Sequence, residues 1–174
     1  MTDKSVVIRD ARRDERDIVR SVTLAAYEQY AAVMPEPLWQ GYRRQLLATL
    51  ETDGAAEHIV AERHGAVVGS VLLFPPATSA YGSAAGSGDC PEVRLLAVAP
   101  DARGAGIGAA LMGECVRRAR STGANALGLH TTDMMRAAVR LYKRLGFVRA
   151  RERDFTPAPG FVVKGYHLDL TRHP

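Results

Sequence analysis

Apolar positions along the chain recur at alternate residues in some stretches and every third or fourth residue in others, and the switches between the two periods predict the elements. Residues 5–9, Ser-Val-Val-Ile-Arg, read as a first strand. Asp10 to Asp14 place charge at a helix entrance, and Ile18, Val19, Val22, Ala26 and Tyr30 recur at helical spacing, predicting a helix to about Tyr30. Pro35 and Pro37 break it, because proline cannot continue a helix. A second helix is expected from Leu38 or Trp39 to Leu50, with Trp39, Tyr42, Leu46 and Leu50 along one face. Residues 58–63 and 66–74 read as strands, and the short connection around His64 and Gly65 predicts an antiparallel hairpin.

Residues 75–91 are rich in Pro, Gly, Ser and Ala with almost no charge, which predicts a long mobile loop. A buried strand over 93–98 follows, then a turn at Pro100 and Asp101 and a helix opening at about Gly104. Ile107, Ala110, Leu111, Cys115 and Ala119 fall on one side of that helix, and Gly123 suits its C-terminal cap. A strand over 125–131 completes a strand–helix–strand crossover, so it should run parallel to 93–98. The last helix is expected from about Met134 to Leu145, with Ala138, Leu141, Tyr142 and Leu145 inward, Thr132 or Asp133 as N-cap and Gly146 at its end. Two final strands, 147–153 and 162–170, flank a turn over 156–160. The pattern defines an α/β protein with a mixed sheet: antiparallel N-terminal strands, a parallel central pair and flanking helices. At 174 residues one domain over 1–174 is expected, with enough chain for a substantial core.

Composition narrows the classes. A 47% hydrophobic, 24% charged chain without a run of roughly 18 apolar residues or an apolar N-terminal signal core reads as cytoplasmic, with no membrane partner. The net charge is +4, and Lys4, Lys143 and Lys164 are the only lysines among 23 basic residues, leaving 20 arginines scattered along the chain. Scattered charge does not favour nucleic acid and suits a small polyanion equally well. Two cysteines, Cys90 and Cys115, make neither a disulfide framework nor a metal-ligand spacing, so no metal is expected.

The residues that carry chemistry begin at Glu92. Gly104, Gly106 and Gly108 fall within five residues at a helix start, where backbone N–H groups have no intrahelical acceptor and the helix dipole favours an anion. The alternative is a glycine-softened turn with no ligand. A second alternative is the dinucleotide fingerprint, since Gly104-Ala-Gly-Ile-Gly-Ala109 fits G-x-G-x-x-G/A. That pattern needs an acidic residue at the end of the next strand, which here ends His130-Thr-Thr, and further βαβ repeats, where this chain has a hairpin.

Arg103-Gly-Ala-Gly-Ile-Gly108, after Leu96-Ala-Val-Ala-Pro-Asp101, resembles the Gln/Arg-x-x-Gly-x-Gly/Ala signature of the GNAT superfamily of acyl-CoA-dependent N-acyltransferases. Leu141-Tyr-Lys-Arg-Leu-Gly-Phe147 is similar to the Leu-Tyr-x-x-x-Gly-Phe ending of that family's second cofactor motif. The resemblance implies an N-acetyltransferase using acetyl-CoA as acyl donor and an amine of a small molecule or protein as acceptor, and a homodimer is common among the proteins it resembles. A non-catalytic acyl-CoA-binding or regulatory module is the alternative. By the same resemblance, the N–H groups of Gly104, Ala105, Gly106, Ile107, Gly108 and Ala109 would bind the cofactor pyrophosphate, and Arg103 would add charge there, unless it is simply a solvated turn residue. The backbone of Leu96, Ala97 and Val98 would take the pantetheine arm on a strand splayed from its parallel neighbour, with one N–H facing the thioester carbonyl. Tyr142 would sit near the thioester sulfur, unless it is simply a core tyrosine. Full proton transfer from a tyrosine to a thiolate is uphill by about 2 kcal/mol, so hydrogen bonding to the departing sulfur would suffice.

A primary amine arrives mostly protonated and needs a base, directly or through water. Glu92 is the first candidate, because it begins a strand beside the long loop; otherwise it is a solvated loop-end residue. His130 is the second. Many family members carry an asparagine seven residues before the tyrosine, and here that position is Met135. Tyr27, Tyr30, Met34, Trp39 and Tyr42 are candidate walls of an acceptor pocket, or core.

Overall fold

A computed structural model describes residues 5–51, 54, 56–76 and 88–172. Twelve regular elements follow in order: β1 (Val7–Asp10), α1 (Arg16–Tyr27), α2 (Glu36–Glu51), β2 (Glu57–Arg63), β3 (Ala66–Phe74), β4 (Glu92–Val98), α3 (Ile107–Ser121), β5 (Ala126–Thr131), α4 (Arg136–Arg144), β6 (Val148–Arg149), β7 (Phe155–Ala158) and β8 (Phe161–Asp169). The mixed α/β class follows, and the expected elements are all present. Most of the predicted loop over 75–91 lies outside the described residues.

The chain packs as two compact units, Met1–Leu72 with Leu95–Glu114 and Leu73–Arg94 with Cys115–Pro174. In the first, the hydrogen-bonded strand order is β1-β2-β3-β4. β1 pairs antiparallel to β2, from Val7↔Glu62 to Asp10↔Ile59. A two-residue turn at His64 and Gly65, with φ of 54° and 77°, closes the β2–β3 hairpin in the sense that matches strand twist. Val19, Leu46, Ile59, Val60, Ala61, Val71, Ile107, Leu111 and Met112 make the core of this unit.

In the second unit the order is β4-β5-β8-β6, with β7 paired on β8. β4 and β5 run parallel, as the crossover requires, through Glu92↔Gly128 and Val93↔Leu129. β8 lies antiparallel along the whole of β5, from Ala126↔Asp169 to Thr131↔Lys164. Cys115, Ala119, Leu127, Leu129, Phe147 and Tyr166 are among its buried residues.

Several boundaries differ from the sequence pattern. α1 ends at Tyr27 and continues as a 3-10 turn over Glu28–Ala32, and its buried stripe is Val19, Thr23, Ala26 and Tyr27, leaving Ile18 51% exposed. α2 starts at Glu36, since Pro37 is tolerated in a first turn whose N–H groups have no helical acceptor. α3 starts at Ile107 because Gly104 and Gly106 both take left-handed φ, 78° and 76°. The strand expected over 147–153 is cut to Val148–Arg149 by a 3-10 turn over Arg151–Arg153, and the turn expected over 156–160 is an edge strand, where Pro157 is tolerated, with the bend confined to Pro159 and Gly160.

Candidate active site

The glycine turn is built in the first unit. Pro100–Ala102 forms a single 3-10 turn, Arg103 is extended, and the two left-handed glycines bring the backbone round to Ile107. The first helical hydrogen bond runs from Ala110 N–H to the Gly106 carbonyl at 3.0 Å, so the N–H groups of Ile107, Gly108 and Ala109 start the helix without an intrahelical acceptor. Arg103, Gly104, Ala105 and Gly106 are exposed, Gly108 and Ala109 half-buried, and Ile107 is anchored in the core at 2% exposure. Arg103 donates from Nη2 to the Ala26 carbonyl at 3.1 Å, placing a cation on the last turn of α1, where the helix dipole favours one. Its charge also opposes the burial that pushes the Tyr30 hydroxyl's pKa up.

Within β4 the parallel ladder to β5 stops at Val93, and two residues later Leu95 takes φ 52°, a left-handed conformation uncommon for a non-glycine residue. Leu96 and Val98 are half-buried and Ala97 is buried. Ala99 N–H, donated to the Val68 carbonyl at 2.9 Å, ties the end of this stretch to β3.

Glu92 and His130 come together in the second unit, and a third residue joins them that the sequence pattern does not single out. The Arg153 guanidinium pairs with Glu92 through Nη2 and Oε1. His130 Nδ1 faces Glu92 Oε2 at 3.3 Å, and its Nε2 meets the Arg153 backbone carbonyl at 2.8 Å. The carboxylate and imidazole side chains are 6% and 1% exposed, against 19% for the arginine. Arg153 also donates from Nη1 to Cys90 Sγ at 3.5 Å, and the Phe155 ring stands edge-on to the imidazole, centroids 5.4 Å apart. Burial pushes the Cys90 thiol's pKa up, more than the neighbouring arginine pulls it down. For Arg153 burial works against the charge, but Glu92 and Cys90, with Asp89, outweigh it and raise its pKa.

Two glycines make the room. A Cβ on Gly128 would clash with Arg153 Nη1 and stand 2.9 Å from Glu92 Oε1; one on Gly165 would stand 2.6 Å from Arg153 Cβ. The 3-10 turn that carries Arg153 is braced next to it. Arg149 forks onto Asp154 with two 2.8 Å bonds, Asp154 takes the Gly165 N–H at 2.9 Å, and Arg153 N–H returns to the Ala150 carbonyl at 3.0 Å. That fork holds the Asp154 carboxyl's pKa down to about 2 against its burial.

Tyr142 is buried in α4 with its ring 5.9 Å from that of Phe147. Phe147 N–H bonds the Tyr142 carbonyl at 3.0 Å and Gly146 N–H the Lys143 carbonyl at 3.1 Å, with Gly146 at φ 91°. This is a Schellman cap. The Leu-Tyr-x-x-x-Gly-Phe block therefore encodes a helix stop that ties Phe147 to Tyr142. Met135 is buried at the start of α4; just before it, the Thr131 and Thr132 hydroxyls are buried without a hydrogen-bond partner. In the first unit, Tyr27, Met34 and Trp39 are buried, and Tyr27 touches both Tyr30 and Tyr42, at 5.7 and 6.1 Å between ring centres. Among the described residues no cluster of His, Cys, Asp or Glu is placed to hold a metal ion, and no helix is long and apolar enough to cross a membrane.

Comparison with known proteins assigns the class. Residues 21–147, well over half of the chain, match the acetyltransferase (GNAT) family, and the chain belongs to it. An uncharacterized N-acetyltransferase of Schizosaccharomyces pombe is 30% identical over 104 residues, 60% of this chain and 58% of that protein. A mycothiol acetyltransferase of Thermobispora bispora is 37% identical over 95 residues, 54% of this chain and 30% of that protein. The matches thus span less than two thirds of these relatives' lengths. The PaiA N-acetyltransferase of Thermoplasma acidophilum, solved in complex with coenzyme A, superposes with a TM-score of 0.72 at 15% identity, over 95% of this chain and 99% of its own. A GNAT acetyltransferase of Brucella melitensis, solved with acetyl-CoA, gives 0.64 at 22% identity, over 96% and 89%. These two share the fold.

Proposed function

We propose that the chain, as a single domain over 1–174, is an N-acetyltransferase that moves an acetyl group from acetyl-CoA to an amine of a small molecule or protein by direct attack within a ternary complex. Family membership supports the reaction class, and the bound coenzyme A and acetyl-CoA of the two structural neighbours support the donor. The observation that carries the reading is the open glycine turn into α3, whose N–H groups have no helical acceptor.

In this reading the N–H groups of Gly104, Ala105, Gly106, Ile107, Gly108 and Ala109 take the donor pyrophosphate, and Arg103 adds positive charge. The backbone of Leu96, Ala97 and Val98 takes the pantetheine arm; the end of the parallel ladder at Val93 and the turn in the chain at Leu95 support a strand free to do so. One of those N–H groups stabilises the oxyanion. Tyr142 hydrogen-bonds the departing sulfur, and Glu92 receives the proton of the amine. Partners are acetyl-CoA and the amine acceptor, with a homodimer as the assembly. Neither Cys90 nor Cys115 forms a disulfide, which suits the cytoplasm.

The test is thiol release from acetyl-CoA by the purified chain across a panel of amines. Release that depends on one class of amine is the expected result. Tight coenzyme A binding with no turnover on any amine would make the protein an acyl-CoA-binding module instead.

A further inference from the structure

We infer that Glu92 and His130 work as one proton-accepting pair, and that Arg153 is the positioning residue that holds it; the inference rests on the acetyltransferase reading. The Arg153 carbonyl can only accept, so His130 Nε2, 2.8 Å away, carries a hydrogen. In a neutral imidazole that leaves a lone pair on Nδ1, which faces Glu92 Oε2 at 3.3 Å. A carboxylate also only accepts. The contact becomes a hydrogen bond when one further proton enters it, either as imidazolium against carboxylate or as imidazole against carboxylic acid. The pair therefore shares one proton position, filled when the contact is a hydrogen bond and empty when two lone pairs oppose each other.

Arg153 sets that arrangement with both ends of the residue. Its guanidinium engages Oε1 of Glu92 and so turns Oε2 toward the ring, while its carbonyl fixes the tautomer that leaves Nδ1 as acceptor. Among the described residues, the charged and titratable groups around the pair include Asp89 and Cys90 ahead of β4, and Arg153 itself. From β7 the group that faces the ring is Phe155. Gly128 and Gly165 leave the space the guanidinium and its backbone occupy. An amine that arrives as ammonium gives one N–H proton to the pair, directly or through water. Its freed lone pair then forms the C–N bond, the C–S electron pair leaves on sulfur, and the second amine proton leaves with the thiol or solvent.

The test joins nitrogen NMR to pH–rate profiles. In the 15N-labelled full chain, with His130 assigned by loss of its signals in His130→Asn, Nε2 is expected to stay protonated throughout the titration while Nδ1 alone gains and loses a proton. Because the proposed pair shares one proton position, Glu92→Gln and His130→Asn should each move the acid limb of kcat/KM by about one pH unit or more, and the double variant no further. Arg153→Ala should lower kcat/KM by about tenfold and move the same limb, with Arg153→Lys recovering part of both. Gly128→Ala, which removes no titratable group but crowds the guanidinium, should move the limb in the same direction. A neutral ring protonated on Nδ1 overturns the pair, as do additive effects of the two single variants or an unmoved limb in Arg153→Ala. The NMR pattern without thiol release on any amine overturns the acetyltransferase reading and the pair's catalytic use. Turnover with an unchanged limb in every variant overturns the pair alone.

Discussion

Phe147 donates its backbone N–H to the Tyr142 carbonyl, and the two rings meet at 5.9 Å and 57°, so the residue that ends α4 also fixes the tyrosine inside it. Contacts of this kind make the block a structural unit. Phe147 is 3% exposed, and Phe147→Ala should cost about 3–5 kcal/mol, read as a lower midpoint in urea.

Tyr142→Phe keeps that ring packing and removes only the hydroxyl. It should lower kcat by about tenfold or more while leaving the KM for acetyl-CoA nearly unchanged. Steady-state kinetics at saturating amine would decide it; an unchanged kcat returns Tyr142 to a packing role.

The glycine turn makes a prediction about binding. Gly106 stands at φ 76°, where a β-branched side chain is strained, so Gly106→Val should distort the backbone proposed to hold the pyrophosphate. Coenzyme A affinity by calorimetry should fall by about tenfold or more with the circular dichroism spectrum retained. An intact affinity would move the pyrophosphate elsewhere.

Acid stability depends on a cluster in the first unit. Arg9 bonds both Glu15, at 2.6 and 2.8 Å, and Glu62, at 2.6 and 2.9 Å, and the hydrogen bond from Arg9 lowers the Glu15 carboxyl's pKa from 4.5 to about 2 despite its burial. A carboxyl with a lower pKa when folded contributes stability above its unfolded value, and loses it as pH falls from about 4.5 toward 2. Glu15→Gln should remove that part of the pH dependence and lower neutral-pH stability by about 2 kcal/mol, or about 4–8 °C in Tm. Thermal melts from neutral to acid pH would show it.

Elements long enough to show a period were legible in the sequence: β3 and the buried sides of α3 and α4 follow their apolar spacing, except that in α3 Ala110 is exposed and Met112 is buried. Short-range competition was not. The 3-10 continuation past Tyr27, the late start of α3 and the truncated β6 depend on a few backbone angles that hydrophobic spacing does not encode. At the site, Glu92 and His130 stood out by residue type and position. Arg153 did not, since it lies 61 positions beyond Glu92 and is one of 20 arginines. A faint signal was present in Gly128 and Gly165, each interrupting a strand at a place where something had to come close.

The burial of both cysteines has a practical consequence at the bench. Cys90 is 8% exposed with its thiol held toward the protonated form, and Cys115 is fully enclosed in the second unit. A thiol needs both access and ionisation to attack a disulfide reagent. The chain should therefore stay dark to a chromogenic disulfide, so that colour developing during turnover reports coenzyme A released and a cysteine-free variant is unnecessary.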